Sequence, residues 1–267
     1  MIRTNLNKLN SATKYPSILT YHEIDGNSGC LKDNVQISFN EQDEVIQTEK
    51  IDGANARIIL FSDQGYFIGS REDLLTASGD LVPNPSLGIV ETLQPLVEAF
   101  KKDLDWRAPV VLFGEVYGNK KIGKSGKNYT NSGQSGFRLF DGITFESDYD
   151  FEKFLNDTPI EKISSWREHG GQKFLEEKKL QGIAELIGVS LTPRIKGTRP
   201  PQGVPETLEW LKGILPGKTN AAIDGDGGKP EGIVIRTSDR VKIAKIRFED
   251  YERTLRIKNE SRINPRT

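Results

Sequence analysis

Gln47-Thr48-Glu49-Lys50-Ile51-Asp52-Gly53-Ala54-Asn55-Ala56-Arg57-Ile58 sets one lysine among small and polar residues, between two apolar runs that read as strands. Lys50 is therefore a candidate nucleophile: a deprotonated primary amine can attack a phosphorus centre, and the phosphoramidate formed can pass its group to a second acceptor. Gly53, directly after Asp52, lets the backbone turn sharply or approach a ligand closely. Working outward, Val45-Ile46-Gln47-Thr48 leads into the lysine, and Ala56-Arg57-Ile58-Ile59-Leu60-Phe61 leads away to a turn at Asp63-Gln64-Gly65. The next short strand, Tyr66-Phe67-Ile68-Gly69-Ser70, ends on Arg71, a residue suited to a phosphate or a ribose.

Further strands repeat this habit of carrying a charge toward something. In Val110-Val111-Leu112-Phe113-Gly114-Glu115-Val116-Tyr117, alternation puts Glu115 on one face with Val111, Phe113 and Tyr117. A carboxylate in so apolar a run needs a cation, a metal or a ligand hydroxyl as partner. Phe137 to Thr144 is another strand, with Arg138 and Phe140 expected on one face and Phe137, Leu139 and Asp141 on the other. Glu231 heads the strand Gly232-Ile233-Val234-Ile235-Arg236, and in Val241 to Phe248 the side chains of Lys245 and Arg247 should point the same way, as if toward a phosphate.

Between these strands, Ile89, Val90, Leu93, Leu96, Val97 and Phe100 recur at helical spacing, with Pro95 implying a kink or a fresh start. Residues 150–215 read mostly as helices, with Ser190 to Ile195 as a short strand, and Glu249 to Arg262 can form one more helix. The first 44 residues are polar and turn-rich, anchored by Tyr15-Pro16-Ser17-Ile18. Lys120, Lys121, Lys124 and Lys127 share a glycine-containing loop with Tyr129, the best local candidate for contact with a nucleic-acid backbone.

Composition narrows the classes. A chain of 267 residues with 35% hydrophobic content can bury a substantial core. No apolar run approaches the roughly 20 residues of a membrane span, and the N-terminus lacks a secretory apolar core, so a cytoplasmic protein is expected. Cys30 is the single cysteine, and His22 and His169 are too few and too separated for a zinc site. Any metal should be magnesium or manganese on carboxylates and phosphates. With a net charge of −1, a polyanion must be met by a local patch rather than by the whole field.

Lys50-Ile51-Asp52-Gly53, Ser70-Arg71, Phe113-Gly114-Glu115, Phe140-Asp141, Glu231 to Arg236 and Lys245-Ile246-Arg247 stand in an order that resembles the covalent nucleotidyltransferases. Asn55 and the Ser-Arg pair look most like the RNA ligase 2 branch of the ATP-dependent ligases. That resemblance implies an α+β nucleotidyltransferase (adenylyltransferase) fold, with antiparallel sheets flanking an ATP cleft. One domain over residues 1–267 is expected, with residues 1–44 packed on it as an extension; many relatives carry an additional C-terminal domain, and here no separate one is expected after the last motif. The resemblance further implies that Lys50 attacks the α-phosphate of ATP and holds lysyl-AMP, with Glu49, Asp52 and Gly53 beside the nucleotide. Glu115 would contact the ribose, Phe140 would stack on adenine with Phe137 as the alternative, and Glu231 would bind Mg2+ or Mn2+. Asn55 and Arg71 would engage metal-bound water or phosphates, and Lys245 and Arg247 the α-phosphate. AMP would pass to a 5′-phosphate end, preferably of RNA, and a 3′-hydroxyl would seal the strand. A DNA ligase, a GTP-using capping guanylyltransferase and a non-catalytic nucleic-acid-binding module are the competing readings. Arg247 stands where relatives often have lysine, and either a protein partner positions the substrate or the core seals ends alone.

Overall fold

The computed structural model describes residues 5–77, 80–81, 88–103, 107–119 and 124–263. In chain order its elements are α1 (Leu6–Thr13), β1 (His22–Ile24), β2 (Leu31–Val35), β3 (Val45–Lys50), β4 (Ala54–Leu60), β5 (Tyr66–Ser70), β6 (Leu74–Ala77) and β7 (Asp80–Leu81). Then come α2 (Ile89–Phe100), β8 (Val110–Tyr117), β9 (Gly136–Thr144), α3 (Asp148–Asp157), α4 (Ile160–Glu168), α5 (Glu177–Leu186), α6 (Val204–Ile214), β10 (Gly232–Thr237), β11 (Ile243–Arg247) and α7 (Phe248–Ile263). The fold class is α+β, as expected, and every named strand pair is antiparallel.

Contacts divide the chain into two units: Met1–Ser17 with Gly53–Leu191, and Ile18–Asp52 with Thr192–Thr267. Residues 1–44, expected as an extension of a single domain, therefore contribute to both. Each unit has its own apolar cluster, which is why each is compact in its own right.

The first unit is built on a six-stranded sheet in the order β7-β6-β5-β4-β8-β9. Period-two alternation divides its apolar side chains cleanly. Ala56, Ile58, Leu112 and Val116 pack with Leu93 and Val97 of α2 and Leu180 and Ala184 of α5. Ile59, Val111, Phe113 and Ile143 pack with Leu9 of α1, Phe151 of α3 and Ile163 of α4. The helix α1 starts where Asn5 accepts from the backbone of Asn7 and Lys8, and α3 where Ser147 accepts from Asp150. Tyr15 is the expected anchor: its ring meets Phe113 at 5.0 Å and Phe140 at 5.1 Å, both edge-on.

The second unit centres on a three-stranded sheet in the order β11-β10-β3. One face, with Ile233, Ile235, Ala244 and Ile246, is covered by Leu208 and Leu211 of α6, Phe248 and Tyr251 of α7, and Leu31 of β2.

One local expectation changes, at Ser190 to Ile195, and two helices refine the reading. The helix α2 is one element through Pro95, which excludes the fresh start there. Ser190 to Ile195 is no strand: Leu191 bridges Leu139 in one unit and Arg194 bridges Thr48 in the other, and Pro193 between them has no N–H to donate to a ladder. Helix α4 is faint in the sequence, since its polar surface leaves Ile163 as its buried residue and a weak apolar period. No helix among the described residues is long and apolar enough to cross a membrane.

Candidate active site

Lys50 closes β3 in the three-stranded sheet, opposite Gly232 of the central strand, which in turn lies opposite Arg247 of β11. The three form one row. The next row, Thr48, Val234 and Lys245, shares its face, because residues two apart along a strand point the same way. Gly232 holds φ +155°, and a Cβ there would collide with the Ile246 carbonyl oxygen and lie 2.8 Å from Arg247 Cα. Glycine is therefore the residue that lets β10 run this close between the two cations.

Glu231, the residue before that glycine, supplies the counter-charge. Its Oε2 accepts from Lys50 Nζ at 2.5 Å, and its Oε1 lies 3.9 Å from Arg247 Nη1. Burial lifts the Glu231 carboxyl above its ordinary pKa; Lys50 and Arg247 oppose the shift, and the exposed Asp52 adds to it. Arg247 is also held bidentately by the buried Asp250, at 2.8 and 2.9 Å. Burial alone would pull the Arg247 pKa down, yet Asp250 and Glu231 outweigh it and keep it above its usual value.

Glu49 behaves differently from its neighbour. One residue before Lys50, it faces the opposite side of the sheet, is 1% exposed, and accepts from the Thr219 hydroxyl, from Asn220 N at 2.8 Å and from Asn220 Nδ2 at 3.2 Å. Its carboxylate ties the 219–220 turn to β3. Alternation along β3 carries this information, since adjacent residues of a strand cannot share a face.

Asn55, Glu115 and Phe140 belong to the six-stranded sheet. Asn55 of β4 lies opposite Glu115 of β8, which lies opposite Arg138 of β9, giving a second polar row across three strands. Glu115 Oε1 accepts from Gly53 N at 3.2 Å, and a Cβ on Gly53 would collide with the Val116 carbonyl oxygen, so the turn after Asp52 is pressed onto β8. Arg138 donates from Nε to Tyr117 Oη at 3.2 Å and from Nη1 to Leu191 O at 3.1 Å. The buried Oδ1 of Asn55 has no hydrogen-bond partner among the described residues. In the sequence Arg138 reads only as a cation in a strand; its alignment with Asn55 and Glu115 depends on register, which alternation does not give.

A bulge in β9 revises the expected faces. Phe113 pairs with Asp141 and Gly114 with Leu139, so Phe140 is the extra residue. Beyond the bulge the alternation resets, and Asp141 joins the face of Arg138, where it accepts from Tyr15 Oη at 3.0 Å. The half-buried Phe140 packs against Tyr15, whereas Phe137 belongs with the cluster on the other face. Arg71, just beyond β5, is 60% exposed and donates to Ser17 Oγ at 3.3 Å. Of the lysine loop, Lys120 and Lys121 lie outside the described residues, Lys124 opens a short 3-10 turn, and Lys127 is exposed.

No group of three or more His, Cys, Asp or Glu side chains that could hold a metal occurs among the described residues. A cation at Glu231 would have one protein carboxylate and would need phosphate oxygens or water to complete its shell, the mode in which magnesium and manganese sit on nucleotides.

The family model for RNA ligases matches residues 43–248. This chain belongs to the RNA ligase family. No curated relative matches it. Among solved structures, it is similar to the RNA ligase of Naegleria gruberi in several forms. A glutamate-to-alanine mutant solved with ATP and manganese shares 15% identity at a TM-score of 0.53, covering 91% of this chain and 62% of that one. A lysine-to-alanine mutant, also with ATP and manganese, gives 14% and 0.51, covering 88% and 62%. An apo aspartate-to-alanine mutant gives 15% and 0.50, covering 90% and 63%. This RNA ligase family member thus spans somewhat under two thirds of those relatives' length, and at such identity the likeness is one of fold.

Proposed function

We propose that the protein is an ATP-dependent RNA ligase working through lysyl-AMP on Lys50. The observation that carries this is the row Lys50–Gly232–Arg247 with the Glu231 carboxylate against Lys50 Nζ. In the first step Lys50 Nζ bonds to the α-phosphorus of ATP, the bond to the bridging oxygen breaks, and pyrophosphate leaves. Lys50 loses one proton to solvent to expose its lone pair and a second as the N–P bond forms, while the Glu231 carboxylate, which accepts its hydrogen bond, orients the nitrogen. Lys245 and Arg247 face the α-phosphate, and Asp250 keeps the Arg247 fork rigid.

Glu231 with phosphate oxygens would hold magnesium or manganese, which when bound offsets charge gathering on the α-phosphate and pyrophosphate. Glu115 and Gly53 engage the sugar side of the nucleotide, Phe140 its base, and Asn55 and Arg71 its phosphates or metal-bound water. The AMP then passes to a 5′-phosphate end of RNA, and a 3′-hydroxyl displaces it to join the strands. Lys127 and the lysines before it are the proposed contact to the nucleic-acid backbone, and a protein partner is proposed to help position the ends.

The test is incubation with α-labelled ATP and magnesium or manganese, with labelled GTP in parallel, followed by denaturing electrophoresis. ATP label should remain on the wild-type chain and fall at least about 10³-fold on Lys50→Ala, because the nucleophile is gone. A chain that retains no label under any combination overturns the proposal.

A further inference from the structure

Arg57 lies in the middle of β4 with no solvent exposure. Its register partners are Gly69 of β5 and Phe113 of β8, and a Cβ on Gly69 would lie 2.6 Å from Arg57 Nε. The absence of a side chain at Gly69 is what admits the guanidinium. Yet the charge it admits is poorly compensated: Nη2 donates to Asn10 Oδ1, while Nε and Nη1 have no hydrogen-bond partner among the described residues. Burial pushes the group down to about 9, against the pull of Glu72 and Asp73, which leaves it charged at neutral pH. An apolar side chain of the same volume would serve a core better, so a stability role alone is a poor reason for arginine here.

The polar atoms around it lead to one place. A guanidinium only donates, so Asn10 must turn Oδ1 toward Arg57, and this turns its Nδ2 toward the Glu72 carbonyl, which it meets at 2.9 Å. Glu72 follows Arg71 directly. The same short loop is closed by Ser70, whose N donates to Asp73 O at 2.8 Å and whose Oγ accepts from Glu72 N at 3.2 Å and Asp73 N at 3.0 Å. Arg71 is thus held between the end of a strand and a pinned carbonyl, with its own guanidinium mostly in solvent.

We infer that Arg57 and Asn10 form a buried relay that positions Arg71 for the phosphates of the nucleotide, making Asn10 of the N-terminal helix a positioning residue. The inference rests on the ligase reading and on the phosphate role given there to Arg71. Asn10→Asp separates positioning from stability. The variant still accepts from Arg57, now as a carboxylate against the buried charge, but it has no donor for the Glu72 carbonyl.

The measurement is single-turnover lysyl-AMP formation at varied ATP, with thermal unfolding alongside, for wild type, Asn10→Asp, Arg71→Ala and the double variant. Expected are an unfolding temperature for Asn10→Asp no lower than wild type and a KM for ATP about tenfold higher, with kcat less changed. The double variant should be no worse than Arg71→Ala alone, since both changes remove the same contact. Arg57→Met, which drops the charge and keeps the volume, should raise KM in the same direction without loss of stability, and serves if Asn10→Asp unfolds early. A labelled wild type with KM within about twofold in both Asn10→Asp and Arg57→Met, or effects of Asn10→Asp and Arg71→Ala that multiply, would overturn the relay alone. An unlabelled wild type would overturn the ligase reading and the relay with it.

Discussion

The two sheets each carry a polar row across three strands, and the rows are built on different principles. In the three-stranded sheet, charges answer charges: Lys50 meets Glu231, and Arg247 meets Asp250. In the six-stranded sheet, side chains answer the backbone: Glu115 takes the Gly53 N–H, Arg138 gives to the Leu191 carbonyl, and Asn55 Oδ1 is left over among the described residues. Compensated charges held close together suit a step in which charge moves, because each partner is already oriented when it does. Hydrogen-bonding groups fixed by backbone suit recognition of a neutral, hydroxyl-bearing ligand such as a sugar.

Substitution should expose this contrast. Glu231→Gln removes the charge facing Lys50 and should lower lysyl-AMP formation by about 100-fold or more, read as single-turnover label transfer. A loss no greater than that of Glu115→Gln would erase the distinction between the rows. Gly232→Ala drives a Cβ into the Ile246 carbonyl and should cost about 2–4 kcal/mol, read as a lower denaturation midpoint. An unchanged midpoint would mean that β10 can move aside and that the spacing of the charged row is soft. For Glu115→Gln the expectation is milder: about a tenfold rise in KM for ATP with kcat little affected, as for a lost ground-state contact.

The smallest effect concerns acid. His22, buried in the three-stranded unit, lies with Nε2 2.7 Å from the Gln202 carbonyl oxygen, so Nε2 carries the proton and Nδ1 accepts from Tyr251 Oη at 2.7 Å. Burial lowers its pKa below the ordinary 6.5. The unfolded chain therefore takes up the proton first, and the stability His22 contributes is complete above about pH 6.5 and is lost as pH falls through the folded-state value. Unfolding temperature should drop more steeply between about pH 7.5 and 5.5 in the wild type than in His22→Asn. Parallel slopes would remove His22 as a source of acid sensitivity in this unit.

Much of this is legible in the residues. The apolar runs around Lys50, Glu115 and Glu231 are strands with nearly the expected bounds, α2 lies where apolar spacing puts it, and α3, α5, α6 and α7 fall in the stretches expected to be helical. Alternation within β11 places Lys245 on one face with Arg247, and alternation within β3 implies that Glu49 turns away from Lys50. What escapes such reading are features with no local signature. A bulge is one extra residue whose presence shows only when a partner strand is counted against it, so the reset at Phe140 and the reassignment of Asp141 stay hidden. Arg57 looks like an ordinary polar position of an alternating strand, and its burial depends on α1 and on Gly69 of the next strand.

By itself, then, the sequence determined the elements, the faces of most strands and the chemical types brought to them, because helix and strand periods are set by the backbone and need no partner. The tertiary structure decided which charge meets which. Lys50 and Glu231 are 181 residues apart, and their contact exists because the register of β3 against β10 places Gly232 opposite Lys50. Register is a property of pairs of strands, fixed jointly by their apolar faces and by close approaches at glycine, and no single stretch of chain contains it.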